Sequence, residues 1–409
     1  MKEKQWLLIP ALLDAHFPLM KYAFYTRDYQ PVILNNRRGI TQEGLRYVHN
    51  DMCYPIILNA GQMIAALKSG RFDPAKTKLL MPSVGDACRG SNYSEVLRKA
   101  VRKAGFPETR VLTMNLMHID PEHQLGIMPV MVWRAFYALF YGDLLMLLVQ
   151  QVRPYETEKG AAERCRDRWI EQIGAELRER RNLHILVLLR RFREITADFA
   201  AIPRSGEKKQ RIGLVGELYT KYCSIGNWDM VRYLEQSGCE SFTNGLSWYV
   251  LYYIDSHLSK AVPAEAAGYR AVGAALCAIQ RRMIAALREA GFFSLPPLPE
   301  LKANAADVIG FEAAIGDGWL IGAETAGYLR QGGGRVLAIQ PFGCMPNHVS
   351  GRGQYAALQR KCGGQVVSID VDASGSPVNA YNRARMLIDG AGIPRRQCRS
   401  HVLKFSGCE

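Results

Sequence analysis

Ten cysteines occur in this 409-residue chain, yet no two of them form a Cys-x-x-Cys pair. That absence excludes local zinc ribbons, thioredoxin-type redox motifs and bacterial-ferredoxin cluster runs, whose ligands lie close together in sequence. Any metal held by cysteine here must draw its ligands from segments that only the fold brings together. A Walker-type phosphate loop is missing, and so is a complete Gly-x-Gly-x-x-Gly fingerprint, so a nucleotide hydrolase in this polypeptide has no support. Long apolar runs are missing as well. The most apolar stretch, Met128 to Val152, is broken by Arg134 and Asp143, short of the ~20 uninterrupted apolar residues a membrane span needs. Lys2 and Lys4 precede the apolar stretch Trp6–Leu13, but it ends at Asp14 with no small-residue cleavage site. It reads as a first strand and not as a signal peptide. These absences predict a cytoplasmic protein with no membrane partner, in which a disulfide framework is disfavoured.

What is present is ordinary globular composition, 48% hydrophobic and 22% charged, which argues against a disordered or fibrous chain. At roughly 100–200 residues per domain, the length predicts two or three domains. Lysine and arginine number 52 against 38 acidic residues, a net charge of +14. No block of like charge forms a basic tail. The excess suits an acidic protein surface, a nucleotide or a CoA-type ligand, and nothing in its distribution favours nucleic acid.

The first part of the chain alternates short apolar runs with helical periodicity. Strands are predicted at Trp6–Ile9, Pro31–Leu34, Lys78–Met81 and Arg110–Met114, with helices at Ile56–Leu67 and Tyr93–Ala104. Gly70 and Gly105 fall where helices end. Alternation of this kind implies a parallel sheet flanked by helices. From about Pro129 to Phe199 long helices take over, and their arginine clusters (Arg178, Arg180 and Arg181; Arg190 and Arg191) read as solvated faces. Pro203 to Lys209 is the best linker. Beyond it, strands at Arg211–Val215, Val336–Gln340 and Gln365–Asp370 alternate with helices at Trp228–Gln236, Trp319–Arg330, His348–Lys361 and Pro377–Ile388. The expected organisation is an α/β lobe over residues 1–125, a helical segment over 126–206, and a second α/β lobe over 207–409 with a helical insert near 245–290.

Ligands of open α/β sheets bind outside the carboxyl ends of the strands. Four cysteines fall in loops leaving strands: Cys53, Cys88, Cys223 and Cys344. A thiolate at a helix start is stabilised by exposed amides, which suits a metal ligand. Pro55 and Pro346 each stand two residues after a cysteine, where proline opens a helix. Cys165 and Cys277, on helices, read as small buried hydrophobes, and Cys239, Cys362, Cys398 and Cys408 default to the same reading. Glu217, just past a strand, is a candidate acid/base or a helix cap. Asn347 and His348 open a helix, where capping is the simplest role.

Three segments carry a family resemblance: Asn50-Asp51-Met52-Cys53-Tyr54-Pro55, with Gly61-Gln62 in the helix that follows; Cys88-Arg89-Gly90-Ser91-Asn92-Tyr93; and Gln340-Pro341-Phe342-Gly343-Cys344-Met345-Pro346-Asn347-His348-Val349. Arg153-Pro154-Tyr155-Glu156 and Val215-Gly216-Glu217 add to it. With these motifs the chain resembles the iron–sulfur family of 2-hydroxyacyl-CoA dehydratases and benzoyl-CoA reductase-type subunits. The nearest branch is the C-terminal part of large fused CoA-substrate-specific activases.

The resemblance implies two Rossmann-like parallel-sheet lobes with a 4Fe–4S cluster in the cleft between them, held by Cys53, Cys88 and Cys344. Three protein ligands would leave one iron open. Two residues depart from the family pattern. Asp86, where glycines are usual, brings a carboxylate that would lower the cluster's potential or serve as an oxygen ligand. Cys223 stands where the family has a non-cysteine residue, and as a fourth ligand it would close the open iron.

The function implied is reductive or radical chemistry on an acyl-CoA, such as 2-hydroxyacyl-CoA dehydration. Its low-potential electrons would come from a separate ATP-dependent activator, and the resemblance also implies a dimer. Two alternatives stand beside it: a non-catalytic electron-transfer subunit, and a double-cubane-cluster reductase of small molecules, which would need about six thiolates.

Overall fold

In the computed structural model, which describes residues 4–83, 88–114, 121–258 and 261–390, the strands form two separate four-stranded parallel sheets. The first contains β1 (Gln5–Ile9), β2 (Tyr29–Ile33), β3 (Thr77–Pro82) and β4 (Arg110–Met114) in the order β2-β1-β3-β4. The second contains β5 (Gln210–Gly216), β6 (Cys239–Thr243), β7 (Arg335–Pro341) and β8 (Gln365–Val371) in the order β6-β5-β7-β8. The expectation of an α/β fold with two Rossmann-like lobes therefore holds. The apolar runs that predicted β1, β3, β5 and β7 are central strands whose residues are mostly buried, as in β7 (Val336 to Pro341), whereas β2, β4 and β8 lie at sheet edges and are only partly covered. A strand covered on both faces reads as a continuous apolar run, without alternation.

In each sheet the chain leaves the first strand in one direction and later returns on its other side. This creates a switch point between β1 and β3, and another between β5 and β7. Crevices form at such points because the flanking loops diverge.

Between the lobes in sequence lie three helices, Pro129–Val152, Ala161–Glu179 and Ile185–Ala200. The first is long and apolar enough to cross a membrane, but 78% of its most apolar window is buried inside the protein. Both charges that interrupt it are buried and hydrogen-bonded, although Arg134 Nε has no partner. Arg134 donates to the carbonyls of Tyr22, Tyr25 and Arg178. Asp143 accepts from His16 Nε2 at 2.8 Å and from the amides of Leu246 and Ser247 at the start of helix Leu246–Leu258. One carboxylate thus ties the first lobe, the central helix and the helical insert together.

The reading of Arg190 and Arg191 as one solvated face needs correction at Arg191. Its side chain is buried, stacked on Trp169 at 5.2 Å and paired with Glu176 at 2.8 Å. Strand β6 had no counterpart among the expectations, because Cys-Glu-Ser-Phe-Thr lacks an apolar run. Glu240 is tolerated there because Tyr155 and Arg211 hydrogen-bond its carboxylate at 2.7 and 3.1 Å.

Candidate functional site

Cys53 stands at the start of helix Tyr54–Lys68, with Pro55 in the first turn; the loop that holds it leaves helix Ile40–Tyr47 and not, as expected, a strand. This helix is anchored close to the strand ends by Gln62, which is buried. Its amide accepts from the Ala11 N–H just past β1 and donates to the carbonyls of Leu34 and Asn36 just past β2. Gly61 lets the helix press against helix Ile40–Tyr47: a Cβ there would lie 1.8 Å from the Ile40 carbonyl oxygen. Gly61-Gln62 therefore fixes where Cys53 points.

Cys88 follows β3 and caps a single turn, Arg89–Asn92, with its sulfur accepting from the Gly90 N–H at 3.4 Å. Arg89 donates to the Asp51 carbonyl at 2.7 Å, joining the second cysteine loop to the first. Asp86 lies outside the described residues, as do Cys398 and Cys408.

On the second sheet, Glu217 follows β5 and Cys344 follows β7, the two strands that flank the switch point. Only glycine fits at Gly216 (φ +137), where a Cβ would meet the Ile339 carbonyl oxygen at 1.8 Å. The close approach lets the Glu217 N–H donate to that oxygen at 3.1 Å. The Glu217 carboxylate caps the next helix, accepting from the N–H groups of Tyr219 and Thr220 at 3.0 and 2.9 Å.

Past Cys344 the chain makes a π-helical turn, Asn347–Arg352, before the regular helix Gly353–Cys362. Wide turns of this kind are rare and concentrate at functional sites. Asn347 does not cap the turn with its side chain. Its amide Nδ2 reaches the Asp317 carboxylate at 2.9 Å and the Cys344 sulfur at 3.4 Å. His348 instead turns to Asp370 at 3.2 Å.

These groups share one electrostatic neighbourhood. Burial pushes the Cys53 thiol up to about 12, helped by the charges of Glu217 and Cys88, while the Tyr93 hydroxyl hydrogen-bonds the thiol and opposes the shift. The Cys344 thiol is pushed up by burial first, then by Glu217, Asp317 and Cys53. Burial, followed by Glu217, raises Asp317 to about 7. Glu217 is raised by burial and opposed by the backbone amides it caps. Glu217 and Tyr93 lie deep in the protein yet keep partial surface exposure, as side chains lining an internal cleft do. Beneath them Lys221, fully buried, pairs with both oxygens of buried Glu324 at 3.1 and 3.2 Å, and Asn244 donates to the same carboxylate at 3.1 Å.

The structure thus gathers Cys53, Cys88, Cys344 and Glu217 from both lobes into one region. Cys223 faces elsewhere: it closes helix Leu218–Tyr222, is fully buried, and directs its thiol to the Ala11 carbonyl at 3.5 Å. Asp317, Lys221, Glu324 and Tyr93 are the polar groups that sequence reasoning did not single out. None has a motif of its own, although Tyr93 closes the second cysteine segment.

Among the described residues, no group of three or more His, Cys, Asp or Glu side chains is arranged to hold a metal ion. A single ion needs its donors nearly touching, whereas a cubane presents separate iron corners to thiolates that stand further apart. Of the groups here, the three sulfurs are of the kind that holds a cubane, and the buried Asn347 Oδ1 has no hydrogen-bond partner. Buried thiols and carboxyls that raise one another's pKa values are relieved when a cation displaces their protons.

A separate cavity of about 930 Å³ opens at the other end of the second sheet, lined among others by Tyr155, Arg204, Lys209, Arg211 and Phe292. Six residues of extended chain separate Arg211 from Glu217, about 20 Å, so the cavity is not part of the thiol site. Comparison with family models, curated proteins and solved structures finds no match to this chain.

Proposed function

We propose that this chain is an iron–sulfur protein in which Cys53, Cys88 and Cys344 hold a 4Fe–4S cluster in the cleft between the two lobes. The observation that carries the reading is the convergence of three cysteines, nearly 300 positions apart at the extremes: Cys88 and Cys344 follow strands that flank the two switch points, and Cys53 lies within electrostatic reach of both. The resemblance of the same three segments to the 2-hydroxyacyl-CoA dehydratase family supports it independently. When bound, the cluster supplies one-electron chemistry, and an iron without a protein ligand can polarise a substrate oxygen. Cys223 spends its thiol hydrogen on a backbone carbonyl, which favours three protein ligands over four. Other described cysteines sit in separate places, Cys165 in the central helical layer and Cys239 on β6, which favours one cubane over a double cubane.

On this reading the chain's own residues hold and shield the site. Tyr93 hydrogen-bonds the Cys53 sulfur. Glu217 and Asp317, whose pKa values burial raises, are the carboxyls that would exchange protons with a bound substrate. Lys221 offsets their charge from below. Phe342, Met345 and Val349 stand exposed around Cys344 and form an apolar lip against which an acyl chain or an electron-donating activator docks. The reaction is reductive or radical chemistry on an acyl-CoA, 2-hydroxyacyl-CoA dehydration being the form the resemblance favours, with electrons from a separate ATP-dependent activator.

Anaerobic purification followed by iron and sulfide counting tests the assignment. About four of each per chain is expected, against about eight irons for a double cubane. Cys53→Ser, Cys88→Ser and Cys344→Ser should each remove most of the iron, and Cys277→Ser should not. A full cluster in Cys344→Ser would overturn the ligand set. A spectral change on adding an acyl-CoA marks an enzyme, and no response to any CoA ester marks an electron relay.

A further inference from the structure

We infer that Asn347 is a positioning residue that orients the Cys344 sulfur and raises the reduction potential of the iron–sulfur group which that sulfur holds; this rests on the assignment of Cys344 as a ligand. The Asn347 side chain is completely buried. Its Nδ2 lies 2.9 Å from Asp317 Oδ2 and 3.4 Å from Cys344 Sγ, and its backbone N–H also faces that sulfur. Two acceptors on one side fix which end of the amide is nitrogen, because the flipped amide would set oxygen against both. Asp317 therefore locks the amide so that it presents a hydrogen to sulfur. The π-helical turn starting at Asn347 brings side-chain and backbone donors onto one atom.

Reduction adds negative charge, part of which resides on the ligand sulfurs. A donor aimed at such a sulfur stabilises the reduced state more than the oxidised one and raises the potential. Burial strengthens the effect, since no water competes for the sulfur.

The test is a spectroelectrochemical titration of the anaerobically purified full chain. Asn347→Leu, which keeps the bulk and removes the donor, should move the midpoint to more negative potential at unchanged iron content. Asn347→Asp, which has no N–H and sets a carboxyl beside Asp317, should move it the same way. His348→Gln, whose side chain turns to Asp370 and away from the sulfur, should leave it where it is. An unshifted midpoint in Asn347→Leu with full iron content overturns the inference and leaves the ligand assignment standing. If the buried leucine prevents iron incorporation, Asn347→Ala, which also removes the side-chain donor, decides, and an unshifted midpoint there also overturns it. An iron-free wild-type protein overturns the ligand assignment itself, and this inference with it.

Discussion

Replacing Lys221 by methionine removes the cation from the buried polar network and leaves the Glu324 carboxylate with only the Asn244 amide. Both partners of the pair are almost fully excluded from solvent, at 3% and 1% side-chain exposure, so water cannot rescue the orphaned charge. Breaking a buried pair by deleting one partner costs about 3–5 kcal/mol. Lys221 also offsets Glu217 and Asp317, which places the expected loss at the upper end of that range.

The double variant Lys221→Met/Glu324→Leu separates charge imbalance from lost packing. Replacing a whole buried pair by apolar residues of similar volume is often neutral or stabilising by about 1–4 kcal/mol. Against this stands the Asn244 amide, left without its acceptor at a cost of about 1–3 kcal/mol. The double variant should therefore lie within about 2 kcal/mol of wild type and be more stable than Lys221→Met. Urea unfolding of the metal-free protein, followed by circular dichroism and by tryptophan fluorescence to expose stepwise unfolding of the lobes, measures this. Equal stability of Lys221→Met and wild type would refute the reasoning, and so would a double variant as unstable as the single one.

Two further outcomes follow from the same geometry. Asp317, raised by burial and by Glu217 to about 7, contributes stability that is fully present below about pH 4 and is lost as pH rises through 7, at most about 4 kcal/mol in all. Asp317→Asn removes that dependence but adds an amide N–H to satisfy at about 1–3 kcal/mol, so the metal-free variant should gain about 1–3 kcal/mol at pH 8 and lose about 1–3 kcal/mol at pH 4; a change in stability that is the same at the two pH values would count against this. Gly61→Ala forces a methyl carbon into the Ile40 carbonyl and should cost about 1–3 kcal/mol. Because the same helix begins at Cys53, iron content should fall with the melting temperature, and an unaltered melting temperature would contradict the close packing.

Much of the secondary structure was legible locally. A strand buried on both faces has to be apolar along its length, so the ends of β3 and β7 could be read to within one residue, while the edge strand Arg110–Met114 was legible to the residue from its apolar run Val111-Leu112-Thr113-Met114. Gly70 and Gly105 marked helix ends because a chain leaving a helix there adopts positive φ, +70 and +94, which glycine takes without strain. Cys88 and Cys344 were legible for a related reason: a loop leaving a strand toward a helix lies at the ligand-binding edge of a parallel sheet, whereas Cys53 and Cys223 follow helices and not strands.

Elsewhere the identity of a residue says little without its partners. Arg191 has the composition of a surface residue and is buried, because Glu176 and Trp169 await it from a neighbouring helix. Cys223 was expected in the same kind of loop as Cys344, but a short helix, Leu218–Tyr222, intervenes after β5 and its thiol meets a backbone carbonyl. Lys221, Asp317 and Glu324 are spread over about a hundred residues, and no periodicity links them. Sequence alone determined most of the strands and helices and the place of Cys88 and Cys344 at strand exits, since these depend on hydrophobic pattern and turn chemistry within a few residues. Only the tertiary structure decided which thiols face one another and which charges are buried beside them. Burial and coulombic coupling are set by distances between segments that the chain does not keep adjacent.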